Sequence, residues 1–310
     1  MGKKAEQMFF KYGILMFLIT LGLIFSIISP YFLTVGNITV VLRQISIVGI
    51  CTVGMTMVIL TGGIDLAVGA TMALSSIILA KLLVSGVNIL LAIILTLLVG
   101  IILGLINGLL INKMNISPLI TTLGTLTIFR GITYIVTGGL PVYGFPKGFS
   151  YIGQGYVGMI PVPVIILALV YGAGYFILYS TKLGRYIYGI GGNESASILS
   201  GVNVKKVKYM VYAISGGLAG IASIVMLSRI NSALPNAGIG FELDVVTAVV
   251  LGGISVNGGE GRLTGVIIGS LIIGVLSNGM ILMSIGEYYQ LVVKGVVLLT
   301  AVGLDNVVKR

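Results

Sequence analysis

The chain of 310 residues contains no histidine, no tryptophan and a single cysteine. Without histidine there is no imidazole for proton transfer or metal binding, and one cysteine forms neither an internal disulfide nor a thiolate cluster. Charged residues make up only 8% of the chain, against about 25% in soluble domains. The sequence therefore lacks the polar surface of a soluble enzyme or a nucleic-acid-binding module. We expect no catalytic residues, no metal site and no cofactor.

Hydrophobic residues make up 57% of the chain, and glycine occupies a further 46 positions. A spanning helix needs about 20 apolar residues, and glycine lets such helices approach closely. The composition predicts an all-α, polytopic membrane protein with one transmembrane domain over residues 1–310, in contact with membrane lipid. About ten transmembrane helices are expected, and the eighth is short and broken by glycine, which indicates a half-helix or re-entrant segment. The candidate spans are Tyr12–Ser29, Ile38–Leu60, Leu66–Ser85, Asn88–Ile111, Pro118–Thr137, Pro161–Ser180, Val207–Ser228, Leu243–Val256, Leu263–Ser284 and Tyr288–Leu304.

Basic residues are distributed unequally between the two sides of these spans. With a cytoplasmic N-terminus, twelve of the 18 lysines and arginines fall in inner segments, whereas only Lys147 and Arg229 fall outside. Cytoplasmic loops carry such an excess. The pattern therefore predicts a multi-pass membrane protein with both termini in the cytoplasm, and it explains the net charge of +10 without a nucleic-acid partner. The inner set is Lys3, Lys4, Lys11, Lys113, Lys182, Arg185, Lys205, Lys206, Lys208, Arg262, Lys309 and Arg310.

Polar residues within or beside the spans are candidates for a translocation path. Asp65 stands at a predicted helix start, where a carboxylate either caps the helix or serves a pathway or an ion. Arg130 is costly inside a span, and it either pairs with a neighbouring group or contacts a substrate; Arg43 and Lys294 present the same alternatives. Hydroxyl and amide groups either line a path or join helices by hydrogen bonds. The candidates of this kind are Thr121, Thr122, Thr125 and Asn278.

A weak internal similarity relates two parts of the chain. The run VILTGGID ends at Asp65, and AVVLGGIS ends at Ser255, with an offset of 190 residues. Each run is followed by an apolar span that contains glycine. Transporters often contain internal repeats, and a chance match of glycine-rich sequence is the alternative. If it is real, the repeat is parallel, because both runs lie where a span reaches the inner side.

The long inner loop, residues 181–207, is the most polar stretch of the chain, and we expect one short surface helix in it. Asn193 or Glu194 is suited to begin that helix, and Gly201 to end it in the left-handed conformation. A short amphipathic helix between two spans lies at the membrane interface or inserts into a groove on a cytoplasmic partner. No P-loop is present, so we expect no nucleotide site in the chain itself.

This loop resembles the coupling loop of permease subunits of bacterial ABC importers. The pattern E-S-A-x-x-x-x-G, formed by Glu194, Ser195, Ala196 and Gly201, resembles the version in the ribose and simple-sugar branch of the branched-chain amino acid/ribose permease family. It differs from the general E-A-A-x-x-x-G pattern by the serine and by one additional residue. Other runs that resemble segments of this family are MTMVILTGGIDLAVGA (Met55–Ala70), SPLITTLGTLTIFRG (Ser117–Gly131), GFELDVVTAVVLGGISVNGGEGRLTG (Gly240–Gly265) and YYQLVVKG (Tyr288–Gly295).

The resemblance implies the ABC importer permease fold and a transport subunit of the bacterial plasma (inner) membrane rather than an enzyme. It implies three partners: a second permease copy or paralogue, cytoplasmic ATP-binding subunits, and an extracytoplasmic sugar-binding protein. The path would lie between the two permeases and operate by alternating access. ATP would be hydrolysed on the partner that holds residues 190–206. The coupling residues implied are Asn193, Glu194, Ser195, Ala196, Leu199 and Gly201.

Other functions remain open at this stage. Related permeases import branched-chain amino acids or nucleosides, although the GIDLAVG and GFELD runs favour sugars. An ion-coupled secondary transporter is an alternative of a different class, and the few carboxylates at mid-membrane disfavour it. A membrane-embedded enzyme would have to work without histidine and with only eight acidic residues.

Overall fold

Helices account for nearly all of the regular structure. A computed structural model describes the backbone of residues 3–308 and the side chains of residues 13–303. The side chains of Lys3, Lys4 and Lys11, and the residues Lys309 and Arg310, lie outside this description, so their part in the orientation argument stays a prediction. In chain order the elements are α1 Lys3–Ile28, α2 Val35–Leu60, α3 Val68–Val84, α4 Ile89–Met114, α5 Pro118–Thr137, α6 Tyr151–Gln154, β1 Tyr156–Val157, β2 Ile160–Pro161, α7 Val162–Ser180, α8 Lys182–Gly192, α9 Glu194–Leu199, α10 Val204–Ile230, α11 Phe241–Leu251, α12 Leu263–Leu282 and α13 Glu287–Val308.

Six of the described helices are long and apolar enough to cross a membrane, namely α2, α4, α5, α7, α10 and α12. Two shorter apolar segments, Gly13–Ile28 within α1 and the helix α3, accompany them. The eighth candidate span corresponds to α11, which has only 11 residues, as its interruption by glycine predicted. The all-α, polytopic architecture is confirmed at this level, whereas the count of ten spans stays a prediction.

The ends of the spanning helices follow ordinary capping chemistry. Asn88 and Ser117 accept hydrogen bonds from the first turns of α4 and α5, and Pro118 occupies the first position of α5. Asn115 and Gly138 end the same two helices in the left-handed conformation. The sequence therefore determines where these helices begin and end through a few local polar groups.

The most extensive helix–helix contact in the described bundle is that of α4 with α10. A Cβ atom at Gly104 would overlap the carbonyl oxygen of Tyr212, and one at Gly100 would overlap that of Gly216. Only glycine allows two backbones to approach in this way. Because α10 also packs on α2 and α3, this seam places α10 near the centre of the fold, next to the part of α2 from Ile45 to Leu60, which is buried throughout.

Residues 181–207 contain two short helices, α8 and α9. The prediction of a single short helix in this loop was therefore wrong. Asn193 separates the two with an extended backbone, at φ −160° and ψ 104°. The missed helix α8 buries Ile187 and Ile190. Its glycine-rich end resembles a loop in sequence, but the apolar face of α8 packs against the end of α2 and stabilises the helix.

The two similar glycine runs form the same kind of turn. After α2, Gly62 takes φ +78°, and after α11, Gly253 takes φ +85°. In both turns this glycine and the following residue donate backbone hydrogen bonds into the last helical turn, which is the Schellman arrangement. The glycines at equivalent positions of the two turns, Gly62 and Gly253, are therefore 191 residues apart. The sequence similarity instead aligns Gly62 with Gly252, at an offset of 190 residues. The wider internal repeat stays a prediction.

Candidate functional site

The helix α9 begins where the sequence predicts. The Asn193 side chain accepts a hydrogen bond from the Ala196 amide at 2.9 Å and caps the helix. Glu194 is the first helical residue, and the Lys208 ammonium lies 2.9 Å from both of its carboxylate oxygens. Gly201 follows the helix at φ +81°. This ion pair fastens the start of α9 to the second turn of α10.

One side of α9 is anchored and the other is free in the described chain. Ser197 is buried, and its hydroxyl donates to the Asn193 carbonyl oxygen at 2.9 Å. Leu199, in contrast, is 89% exposed, and Ile198 and Ser195 are also exposed. The neighbouring Ile198 and Leu199 side chains therefore present a small exposed apolar surface at this end of the bundle.

The root of α9 is a junction of three glycine-rich backbones. The Gly259 amide donates to the carbonyl oxygen of Leu60, the last residue of α2, at 3.0 Å. Gly191, near the end of α8, packs directly on both, and a Cβ atom there would overlap the Leu60 oxygen and the Gly259 nitrogen. We call Leu60, Gly191 and Gly259 the glycine junction. It connects the base of α9 to the end of the buried helix α2 and to the loop between α11 and α12 through backbone contacts alone.

A tyrosine on α8 reinforces the junction. The Tyr188 hydroxyl donates to the carbonyl oxygen of Gly261 at 3.0 Å. Burial raises the pKa of this phenol, and the neighbouring Tyr179 raises it further, so Tyr188 remains a protonated donor at neutral pH. The loop between α11 and α12 is therefore held against α8 by a side chain as well as by packing.

Asp65 is buried just before a helix that begins inside the bundle. It is 2% exposed, and its carboxylate accepts hydrogen bonds from the Ala67 amide at 3.1 Å and the Ser215 hydroxyl at 2.9 Å. Ala67 is the N-cap residue of α3, whose first turn receives no side-chain capping bond, so the first contact stabilises the turn that precedes the helix, and the second ties this turn to α10. Both alternatives considered for Asp65, capping and a role in a path, therefore stay predictions.

The three candidate threonines of α5 face inward. The Thr122 hydroxyl donates to the Ile64 carbonyl oxygen at 3.1 Å, and the Thr125 hydroxyl donates to the Asn107 side-chain oxygen at 2.6 Å. Thr121 is buried, and its hydroxyl has no partner among the described atoms. Together they form a polar seam between α5, α4 and the broken segment before α3. Their contribution to a translocation path remains a prediction.

Arg130 supports irregular backbone at membrane depth. Its guanidinium donates to the carbonyl oxygens of Pro235, at 3.1 Å, and Ala237, at 2.5 Å. Both carbonyls belong to the segment that leads into α11 and lack helical partners. Unpaired carbonyl groups are costly in a membrane interior, so the guanidinium and the carbonyls stabilise one another.

The two other cations considered above, Lys294 and Arg43, also have partners. Lys294 on α13 lies 2.7 Å from Asp244 on α11. Arg43 on α2 donates to the carbonyl oxygen of Gln154 and lies over the Tyr156 ring, with its guanidinium carbon 4.8 Å from the ring centre. These contacts are of the structural kind, and a contact of either cation with a substrate stays a prediction.

Asn278 joins two helices instead of standing alone. Its amide and that of Asn37 exchange two hydrogen bonds, of 2.8 and 2.9 Å, between α12 and α2. The exchange satisfies both amides in a buried position. As with the threonines, a role for Asn278 in the path remains a prediction.

Sequence reasoning missed several residues that organise this region. Lys208 was interpreted only as an orientation signal and Gly191 only as part of a loop, and Ser215 and Gly259 were not singled out. Paired glycines before and after a helix are the only sequence signal that could have indicated the junction. Their partners lie far away along the chain, so the contacts become visible only in three dimensions.

The described elements define the class of protein: a polytopic helical membrane protein with buried polar groups and a short exposed helix at one end. Residues 37–302 match the family described as branched-chain amino acid transport system / permease component. The chain belongs to that family.

Individual relatives are similar along nearly their whole length. The ribose import permease protein RbsC of Bacillus subtilis strain 168 is 50% identical over 96% of this chain and 92% of its own length. RbsC of Haemophilus influenzae is 47% identical over 93% and 91%. The D-allose transport system permease protein AlsC of Escherichia coli K12 is 43% identical over 97% and 93%. No solved structure is significantly similar to the chain.

Proposed function

We propose that this chain is the membrane-spanning subunit of an ATP-driven importer of simple sugars, with ribose as the leading cargo. The observation that supports this proposal most strongly is the exposed helix α9, which is anchored at its base. It occurs in a chain that is 50% identical to a ribose import permease over 96% of its length. The chain itself makes no covalent change to the cargo, and ATP is hydrolysed on a partner. D-Allose is the next candidate, because its permease is 43% identical.

The exposed face of α9 is the proposed contact with a cytoplasmic ATP-binding subunit. Leu199 and Ile198 would enter an apolar groove on that subunit, as an amphipathic helix does. The Glu194–Lys208 pair transmits a displacement of α9 to α10, and the glycine junction transmits it to α2 and to the loop between α11 and α12. ATP-driven movement of one short helix would then reach the buried helices that surround Asp65 and the threonines of α5.

The remaining features of the assembly follow the same proposal. Two permease copies, or this chain and a paralogue, enclose the path, and both termini of each lie in the cytoplasm. The other end of the bundle receives an extracytoplasmic sugar-binding protein. There Met159, at the tip of the β1–β2 hairpin, is 95% exposed, and Arg43 holds this loop against the bundle.

A pull-down of the tagged chain from its native membrane, analysed by mass spectrometry, tests the assembly. Recovery of a P-loop ATPase and a binding protein is the expected result, and sugar retained by that binding protein would identify the cargo. Recovery of the chain alone, from cells that express the ATPase, would refute the proposal. Uptake by the purified chain in ATP-free liposomes would then establish an ion-coupled carrier.

Reversal of a single charge tests the coupling role of α9. Glu194→Lys places two cations against each other at the base of the helix, so we expect normal insertion but loss of ATP-dependent uptake. Glu260→Lys is a matched control, because Glu260 lies in the neighbouring loop and makes no ion pair among the described side chains. Normal uptake by Glu194→Lys would exclude this ion pair from the coupling mechanism.

A cysteine at the hairpin tip tests the outer surface. Met159→Cys, treated with a bifunctional cross-linker, should capture the binding protein in intact cells when cargo is present. A cysteine in place of Leu299, an exposed residue of α13, provides the control. Equal capture from both positions, or none from Met159→Cys, would contradict docking at the hairpin.

A further inference from the structure

A cavity of about 360 Å³ opens beside the root of α9. Its walls come from four parts of the chain that are distant in sequence: the turn after α2, the start of α5, the α8–α9 joint and α10. The volume falls within the range of small-molecule sites. The lining residues used below are Thr61, Gly63, Asn193, Glu194, Lys208 and Tyr212.

Tyr212 provides an unpaired polar group at the wall of this cavity. The residue is 1% exposed, and its hydroxyl has no hydrogen-bond partner among the described atoms. The hydroxyl lies 2.6 Å from the position that a Cβ atom would take at Gly63, so it fits there only because Gly63 has no side chain. A buried hydroxyl is stabilised by a partner, and a ligand in the adjoining cavity would supply one.

The lining indicates the chemical class of the ligand. The one carboxylate, Glu194, and the one ammonium, Lys208, neutralise each other at 2.9 Å. The other polar side chains, on Thr61, Asn193 and Tyr212, are neutral hydroxyl and amide groups. A neutral lining with such groups suits a small polyhydroxylated molecule better than an anion or a cation.

We propose that this cavity binds a neutral sugar of the imported class on the cytoplasmic side and slows further import. The inference rests on the proposed function, because import raises the concentration of that sugar at this face. The ligand would bridge the turn after α2, the joint before α9 and α10. A ligand that prefers one arrangement of these segments stabilises it, so the sugar opposes the displacement of α9 that ATP must drive.

The test uses the complete transporter in proteoliposomes, with binding protein outside and ATP trapped inside. Initial uptake of labelled D-ribose is measured with unlabelled D-ribose inside at increasing concentration, and with betaine of equal osmolarity as the control. Internal D-ribose should reduce the initial rate. Tyr212→Phe removes only the hydroxyl, so it should raise the inhibitory concentration about 2- to 10-fold and leave the uninhibited rate unchanged.

Two further variants make the result specific. Gly63→Ala should also relieve inhibition, because its methyl group occupies the space beside the Tyr212 hydroxyl. Tyr209→Phe, one turn earlier on α10 and outside the cavity lining, should leave inhibition unaltered. Uptake that internal D-ribose does not slow, even at tens of millimolar, would overturn the inference, and so would an equal effect of Tyr209→Phe. Absence of uptake without internal sugar would instead refute the proposed function, and with it the identity of this ligand.

Discussion

Substitution of Gly191 by alanine should uncouple the proposed transporter without unfolding it. The added methyl group has no room at the glycine junction, because it would overlap the carbonyl oxygen of Leu60 and the amide of Gly259. The adjacent Gly192→Ala is a matched control, since a Cβ atom at Gly192 meets nothing within 4 Å. Both glycines lie in α8, so the difference between the variants reports packing rather than helix propensity.

The size of the effect follows from the contacts that alanine displaces. Overpacking of a close contact costs about 1–3 kcal/mol, and loss of the hydrogen bond from Gly259 to Leu60 costs about 0.5–1.5 kcal/mol. The strain is relieved when α8 moves away from α2, so it favours conformations in which the junction is open. A bias of about 2 kcal/mol changes such an equilibrium roughly 30-fold. ATP-dependent uptake should therefore fall at least about tenfold in Gly191→Ala.

The assay compares both variants with the wild type in proteoliposomes that contain the partner subunits. Membrane level and thermal unfolding in detergent are measured first, and ATP hydrolysis and sugar uptake are then measured in the same vesicles. We expect Gly191→Ala to hydrolyse ATP with little uptake, and Gly192→Ala to behave like the wild type. Equal uptake by the two variants would refute the view that the glycine junction transmits motion.

Three further substitutions test individual contacts. Lys294→Met leaves Asp244 without its partner in a partly buried ion pair and should destabilise the protein by about 1–3 kcal/mol, less than for a fully buried pair. The double variant Lys294→Met/Asp244→Asn should recover most of the thermal stability, and no recovery would mean that the pair is not the cause. Gly201→Leu places leucine in a left-handed backbone conformation, which costs about 1–2 kcal/mol, so uptake should fall. The amount of protein in the membrane, measured by immunoblot, should stay normal, and unchanged uptake would contradict the role of this turn. Asn278→Leu removes both amide–amide hydrogen bonds and leaves the Asn37 side-chain oxygen without a partner among the described atoms, although the Asn37 NH2 group still donates to the Phe32 carbonyl oxygen. The cost should be about 1–3 kcal/mol, and the lowered unfolding temperature should partly recover in Asn37→Leu/Asn278→Leu. Equal losses in the single and double variants would refute the pairing of these amides.

Much of the architecture is predictable from local sequence. Apolar stretches indicate the spans, and polar caps such as Ser117 locate their ends because a side-chain oxygen satisfies a nearby free amide. The start of α9 at Glu194 and the left-handed Gly201 were predicted on the same basis. Helix α8 was not, because its glycine-rich end resembles a loop and only packing against α2 stabilises it.

The partners of the buried polar groups are less predictable. The sequence shows that Asp65, Arg130 and Lys294 are costly in a membrane and need compensation. It does not show which groups compensate them, since the partners lie 50 to 150 residues away along the chain. Pairing at such separations depends on how helices pack, and the hydropathy pattern contains no information about that.

By itself, the sequence determined that this chain is a helical membrane protein and where its short polar helix begins. It also determined which set of loops between the spans is rich in basic residues. These features are readable because hydropathy, charge and capping act over a few residues. Only the tertiary structure decided that Leu60, Gly191 and Gly259 meet at the root of that helix. Close backbone packing requires three segments to converge in space, and each glycine by itself looks like any other of the 46 in the chain. Tyr212 likewise differs from other tyrosines only through the cavity that its neighbours form.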